Sequence, residues 1–378
     1  MPAGEENTIP HASPPLPDEA AALNADGGTI GKGGPAGAPG ERMGADAMKI
    51  FVNMPDGPTR DSFITESVKE QLEALGEVRW NGSPKQLTED ELAASLGDAE
   101  VCVTGWGSEP FTARVLESAP RLRVIAHTGG TVATLVGDAA YDRGVRVLSG
   151  NELYAQSVAE GVIGYILAAL RRIPQFAAQV QQDGWPQPGW TNEGLIGQRV
   201  GLVGFGAVAR YTAKLLRAFD AEILIWADHV TPEEAARYGA RKAELEEIFS
   251  ACKIVSLHLA RTPETYHIIG ARLLGLLRPD SLLVNTARGA IVDEAVMAAM
   301  LREGRFRAVL DVYEQEPLPL SSPLRGLDNA LLIPHMGGPT MDRRPYVTRA
   351  LISALPAALR GEPTWLDISR EAMRRMTR

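Results

Sequence analysis

The sequence predicts an α/β protein built on doubly wound parallel sheets, and three observations predict it. Short apolar runs alternate with helix-period stretches from Met48 to about residue 150. A glycine turn breaks an apolar run at Gly204 and reopens as a helical pattern. Further apolar runs, separated again by helical stretches, follow as far as Ile333. Strands that alternate with helices are joined by crossovers and lie parallel.

The bulk properties exclude several function classes. A chain of 378 residues with 45% hydrophobic content is long enough for two or three ordinary cores. The net charge of −9, with basic residues scattered and outnumbered, gives no sign of nucleic-acid binding. Cys102 and Cys252 lie in apolar strand-like runs without a partner at metal or redox spacing. They read as buried thiols in a reducing compartment, and no metal site is expected. No run reaches the roughly 18 to 20 apolar residues of a membrane span, and no basic region leads into an apolar one at the N-terminus. A cytoplasmic protein with no membrane partner is expected.

Residues 1–47 hold 9 Gly, 7 Pro, no aromatic residue, and seven acids against Lys32 and Arg42. Such a stretch cannot bury enough apolar surface to offset its chain entropy, so a disordered tail is expected, with Met43 or Met48 as the native start. Ordinary sequence resumes at Met48–Val52, the first expected strand. Strands are then expected at Glu77–Trp80, Val101–Thr104, Leu122–Ile125 and Val145–Leu148, with helices near 65–75, 89–96 and 112–119. The loops Thr104–Ser108 and His127–Thr131 follow strand ends, where open α/β sheets collect ligands. Ser157–Arg172 is apolar nearly all round and reads as a long buried helix crossing between domains. Residues 183–193 make a connecting loop. Later strands are expected at 223–226, 253–258, 281–285, 308–311 and 330–333, and a return helix near Thr348–Leu359. No added regulatory domain is expected after this helix.

The run Arg199–Arg210 reads as strand, tight turn and helix. Gly204 takes the backbone angles of the turn, Gly206 lets a pyrophosphate approach, and Ala209 lets the helix pack closely. The amides of Ala207 and Val208 at the helix start then face an anion. The helical pattern of Tyr211, Leu215, Leu216 and Phe219 leads to a second strand and to Asp228, at the distance where an acid meets the adenosine ribose. A dinucleotide site is expected there. Three chemically able side chains stand just past successive expected strands: Arg288, Glu316 and His335.

These stretches together resemble the D-isomer-specific 2-hydroxyacid dehydrogenase family over about residues 48–345. The resemblance rests on Ser157–Glu160, Gly201–Gly206, Leu257–His258 with Thr262–Thr265, Val284–Gly289 with Ile291–Glu294, Leu310–Pro317 and Pro334–Gly338. It implies two similar doubly wound (Rossmann/flavodoxin-like) domains with a cleft between them. Residues 48–155, completed by 336–378, would form the substrate domain, and 156–335 the NAD-binding domain. A small 2-hydroxy or 2-keto acid would lie in the cleft, and a homodimer is the usual assembly. The resemblance assigns His335 as acid/base, Glu316 as the carboxylate that holds its imidazole and favours its charged form, and Arg288 as the clamp on the substrate carboxylate. Asp311, Thr286, Ala287 and Gly338 would line the nicotinamide side. Amides of the two small-domain loops, at Trp106, Gly107, Gly129 and Gly130, would meet the carboxylate from across the cleft.

The match departs from the family in three places. The ribose-binding acid falls on Ala227, with Asp228 one place later, and a one-residue shift reverses facing in a regular strand. Asp228 reaches the ribose if the backbone leaves the strand there, so NAD is expected with NADP left open. Ala260 stands for a family proline, and Arg261 enters the cofactor-side loop. Thr131–Val136 lacks the usual polar residues at Ala133 and Val136, with Thr134 for Asn; no basic cluster there suits a phosphate. Trp106 and Trp185 are candidate pocket walls, with core packing as the other reading. The alternative function is a non-catalytic NAD(H)-sensing interaction protein resembling the C-terminal-binding corepressors, which keep the same three residues. Phosphite or formate dehydrogenase is a third possibility, and formate is disfavoured because those enzymes carry Gln where Glu316 stands.

Overall fold

The structure, a computed structural model, describes residues 47–182, 184–186 and 188–377. The expectation for the tail at 1–47 therefore lies outside the described residues, apart from Ala47. Two all-parallel sheets form the frame. The smaller contains β1 (Met48–Asn53), β2 (Gly76–Trp80), β3 (Val101–Thr104), β4 (Val124–His127) and β5 (Arg146–Ser149), in the order β2-β1-β3-β4-β5. The larger contains β6 (Arg199–Val203), β7 (Glu222–Trp226), β8 (Ala240–Lys242), β9 (Ile254–Leu257), β10 (Leu282–Asn285), β11 (Arg307–Leu310) and β12 (Ala330–Leu332), in the order β12-β11-β10-β9-β6-β7-β8. Each order reverses direction once, between β1 and β3 and between β6 and β9, and such switch points open a crevice at the carboxyl ends of the strands.

The connecting helices are α1 (Pro58–Phe63), α2 (Glu66–Leu75), α3 (Glu89–Leu96), α4 (Ala113–Ser118) and α5 (Asp138–Asp142) in the first half. Then come α6 (Asn151–Leu170), α7 (Ile173–Gln181), α8 (Ala207–Arg217), α9 (Pro232–Arg237), α10 (Leu245–Ala251), α11 (Ala271–Leu274) and α12 (Glu294–Arg302). The chain ends with α13 (Arg344–Leu359) and α14 (Arg370–Arg374).

Strand periodicity explains the four cores. On β1, β3 and β4, Ile50, Val52, Val101, Val103, Val124 and Ala126 face one layer, while Phe51, Cys102 and Ile125 face the other. The larger sheet repeats this: Leu282 and Val284 of β10 point to one side and Leu283 to the other. Both faces are covered, so the strands read as continuous apolar runs. The two cysteines are buried as expected, and burial pushes both thiols up, Cys252 to about 12. Helix α13 returns to the smaller sheet, where Val347, Leu351 and Leu355 join its core.

Several expected boundaries shift. Leu122 closes a turn onto Ala119, and Arg123 and Val124 both donate to the Glu100 carbonyl, so β4 starts at Val124 and carries His127 inside it. β5 likewise ends at Ser149. α13 starts at Arg344, a turn earlier than expected, and α6 starts at Asn151 instead of Ser157. On α8 the inward face is Ala209, Thr212, Ala213 and Leu216; Leu215, expected in the apolar stripe, is exposed. α6 is also long and apolar enough to cross a membrane by length and composition, against the expectation that no segment would qualify. It packs instead within protein: Leu153 joins the smaller sheet's core, and Val162, Ile166 and Leu170 join the larger's.

Candidate active site

The carboxyl ends of β6, β9, β10, β11 and β12 bring the expected residues to one edge. Gly204 follows β6 with φ +94°, a left-handed conformation that favours glycine. A Cβ there would also stand 2.8 Å from the backbone carbonyl of His258, which follows β9. Gly206 has ordinary angles and caps α8 without a side-chain bond, and a Cβ on it would meet nothing within 4 Å. The first amides of α8, on Ala207 and Val208, thus have no capping side chain. β7 ends at Trp226, and Asp228 stands exposed in the turn beyond it, while Ala227 is buried. The backbone does leave the strand before Asp228.

His258 lies under this turn, with Nε2 2.9 Å from Ser256 Oγ, and burial lowers its pKa to about 3. His127 is its counterpart in the smaller half, bonded to Thr104 Oγ1 at 2.9 Å and lowered to about 4 by burial. Both imidazoles are neutral in the folded protein and ionise on unfolding below about pH 6.5. A depressed folded pKa contributes stability that is complete above the unfolded value and lost as pH falls towards the folded one. Between pH 7 and 4.5 each histidine is expected to remove on the order of 2–3 kcal/mol. Urea midpoints measured across that range should fall, and the fall should shrink in His127→Gln; an unchanged slope would place the acid sensitivity elsewhere.

The His335–Glu316 pair forms at the ends of β11 and β12. His335 adopts φ +47°, uncommon for a residue with a Cβ. This turn sends the amides of Met336 and Gly337 to the two oxygens of Asp311, at 2.8 and 2.9 Å. The same turn puts His335 Nδ1 2.6 Å from Glu316 Oε2. The other oxygen of Glu316 accepts the Tyr313 amide at 3.0 Å, so the carboxylate is held from both sides. Tyr313 is itself fixed, its hydroxyl bonded to the carbonyls of Leu310 and Ile333. Asp311 is buried, and that burial raises its pKa while the two amides oppose the rise. Its first duty is thus to tie down the His335 loop.

Arg288 follows β10 in a turn shaped by Asn285, whose side chain accepts the Ala287 amide and donates to the Arg288 carbonyl. Burial lowers the Arg288 pKa, Glu316 opposes that, and Arg261 adds to it; the guanidinium stays charged at neutral pH. Thr286 Oγ1 is buried without a partner, an orphan polar atom beside the same turn. Nothing in the sequence pattern distinguishes Asn285, although it lies within one of the matching stretches.

Across from this edge, the smaller sheet ends in a row of buried polar residues, Asn53, Thr104, His127 and Ser149, paired neighbour to neighbour. Ser149 Oγ donates to the carbonyls of Gly129 and Gly130. A Cβ on Gly129 would come 2.3 Å from His127 Nε2, which explains the glycine. The amides of Gly105, Ser108 and Thr128 are already engaged. Among the described residues, those of Trp106, Gly107, Gly129 and Gly130 have no partner. Tyr154 links the two sides: its ring lies 3.7 Å from a Cβ position on Gly130 and 3.9 Å from one on Gly338. Neither Trp106 (42% exposed) nor Trp185 (73%) is packed as a core residue.

Comparison with known proteins gives a consistent picture. The model of the D-isomer specific 2-hydroxyacid dehydrogenase NAD binding domain matches residues 163–337. The D-3-phosphoglycerate dehydrogenase of Methanocaldococcus jannaschii is 33% identical over 317 residues, covering 83% of this chain and 58% of that protein. The chain thus spans a little over half the length of the phosphoglycerate dehydrogenases it matches. The glyoxylate reductase of Thermococcus litoralis is 30% identical over 312 residues, covering 79% of this chain and 94% of the reductase. A solved structure of a protein from Thermus thermophilus superposes with a TM-score of 0.69 at 28% identity, covering 85% of this chain and all of that one.

Proposed function

The chain belongs to the D-isomer specific 2-hydroxyacid dehydrogenase family, with an NAD(P)-binding domain, and from that premise we propose that it interconverts a small D-2-hydroxy acid and its 2-keto acid. The observation that carries this reading is the His335–Glu316 pair, 2.6 Å apart, on the strand edge that also holds Arg288 and the Gly204 turn. The domain assignment follows: the larger sheet holds the cofactor, and the smaller sheet with α13 supplies the other wall of the substrate site.

The residues fit a dinucleotide. The uncapped start of α8 at Gly206, Ala207 and Val208 would hold the pyrophosphate, and Asp228 the ribose. The orphan hydroxyl of Thr286, with Ala287, Asp311 and Gly338, would line the nicotinamide side. Asp228 and the absence of an arginine directly after it favour NAD. The cofactor, when bound, supplies or accepts the hydride at C2. The protein's own residues do the rest. Glu316 fixes Nδ1 of His335, so Nε2 is the edge that gives a proton to the carbonyl oxygen in reduction and takes it back in oxidation. Arg288 grips the substrate carboxylate with its planar fork, and the unpaired amides at 106–107 and 129–130 meet it from the smaller sheet.

The test is NADH and NADPH oxidation against a panel of 2-keto acids, including glyoxylate, pyruvate, hydroxypyruvate and phenylpyruvate. Turnover supports the reading and names the substrate group. Cofactor binding without turnover across the panel would favour the interaction-protein reading. A sharper check on the cofactor site is Gly206→Ala. Its angles are ordinary and its surroundings open, so the fold should keep its stability within about 0.5 kcal/mol. NADH binding should weaken at least tenfold in a fluorescence titration; unchanged binding would move the pyrophosphate away from this turn. A homodimer is also proposed. Ile173 and Val180 of α7, with Trp185 and Trp190 beyond it, are exposed apolar side chains, and light scattering of the purified protein would test the assembly.

A further inference from the structure

Beside the site described above lies a group of side chains that the hydride-transfer chemistry does not use. Arg344 opens α13, six residues after the loop amide on Gly338, and its guanidinium lies 5.0 Å from the Trp106 ring centroid and 5.4 Å from that of Phe63. Trp106 stands edge-on to Phe63 and to Tyr154, at 5.0 and 6.2 Å. Arg344 donates from Nε to the Pro339 carbonyl at 3.4 Å and from Nη1 to Ser62 Oγ at 3.1 Å. Among the described residues it has no carboxylate within ion-pair distance, and Nη2 has no partner. The nearest acid in sequence, Asp342, feels the charge of Arg343 instead.

Two features of this arrangement are costly unless something else binds there. A cation on the first turn of a helix opposes the helix dipole, and α13 has no acidic residue in that turn to offset it. The Tyr154 hydroxyl is buried beside the Trp106 indole, whose N–H can only donate to it, so the hydroxyl proton has no acceptor, on the ring that packs between Gly130 and Gly338. A buried polar atom left unpaired costs free energy comparable to a lost hydrogen bond. An anion received by Nη2 of Arg344 and by the Tyr154 hydroxyl would relieve both. The aromatic faces hold the guanidinium in place, which reduces the ordering cost of binding.

We propose that Arg344 and Tyr154, walled by Trp106, form a subsite for a second carboxylate at the far end of the substrate, so that the preferred substrates are 2-keto diacids. This rests on the 2-keto acid reading above. One guanidinium and one phenol match a carboxylate in charge and donor number.

The experiment pairs acids of equal chain length: oxaloacetate against 2-oxobutyrate, and 2-oxoglutarate against 2-oxovalerate. Each is measured as kcat/KM with NADH and as binding to the NADH-loaded protein by calorimetry. At least one diacid is expected to exceed its matched monoacid about tenfold. In Arg344→Met that ratio should collapse to about one, in Arg344→Lys part of it should remain, and in Tyr154→Phe it should fall about threefold. Ratios near one in the unaltered protein overturn the proposal. So does a ratio unchanged by the substitutions, which would make Arg344 a purely structural residue. If Arg344→Met fails to fold, the Lys and Phe variants decide. A protein that turns over none of the acids contradicts the hydride-transfer reading, while the calorimetric ratio still decides the subsite.

Discussion

His335→Ala is expected to lower kcat by roughly 10²- to 10⁴-fold, the usual contribution of a positioned acid/base group, while NADH binding stays within a few-fold. The asymmetry follows from what the imidazole touches. Its Nδ1 meets Glu316 and nothing on the dinucleotide turn, so the cofactor residues keep their geometry when the ring is removed. Steady-state rates and a fluorescence titration of NADH on the same preparation give the two numbers. The substitution carries one complication: the residue sits at φ +47°, where alanine is strained by roughly 1–2 kcal/mol. Asn tolerates that region, so His335→Asn keeps the turn and with it the amide bonds from Met336 and Gly337 to Asp311. If Ala and Asn variants lose activity equally with NADH binding intact, the loss belongs to the proton. If Ala loses both activity and NADH binding and Asn loses neither, the histidine is there for its backbone, and the acid/base assignment fails.

The left-handed turn at His335 marks the limit of what the sequence made legible. Strand and helix order came through because both faces of each sheet are covered: a run such as Leu282–Asn285 is apolar whichever way its side chains point, and it announces a buried strand. The positions of Arg288, Glu316 and His335 just beyond β10, β11 and β12 followed from that order. Register did not follow. The sequence pattern places β4 two residues early because Leu122 and Arg123 look like strand, while their backbone bonds go to Ala119 and Glu100. That slip hid His127 from view as the neighbour of Thr104 and Ser149. Tyr154 and Arg344 were invisible for a related reason. They are nearly two hundred residues apart, and only the return of α13 to the smaller sheet sets both beside Trp106. Local periodicity reports burial, and it carries no information on which distant loop a buried hydroxyl will meet.

The largest structural effect is expected from Gly289→Ala. A Cβ on Gly289 would fall 1.9 Å from the carbonyl carbon of Tyr313 and 2.3 Å from the amide nitrogen of Glu314. Ordinary contact begins near 3.4 Å, so one of the two segments must move by more than an ångström. Neither is free to do so. The Tyr313 segment is pinned by its amide bond to Glu316 and by the hydroxyl bonds to Leu310 and Ile333. The Gly289 segment is pinned by Asn285, which holds the Ala287 amide and the Arg288 carbonyl. Overpacking against backbone typically costs about 1–3 kcal/mol and occasionally more, and with both sides held the cost should reach about 4 kcal/mol. On the proposed roles the chemistry suffers whichever side yields, because Arg288 precedes Gly289 and Tyr313 fixes Glu316. Activity should therefore fall at least a hundredfold even at temperatures where the protein remains folded. Gly137→Ala is the matching control, since a Cβ there meets nothing within 4 Å and its φ is ordinary. Urea midpoints and kcat/KM of both variants check the expectation. If Gly289→Ala were as stable and active as Gly137→Ala, the close approach of the Arg288 turn to the Glu316 loop would not be what holds this site together.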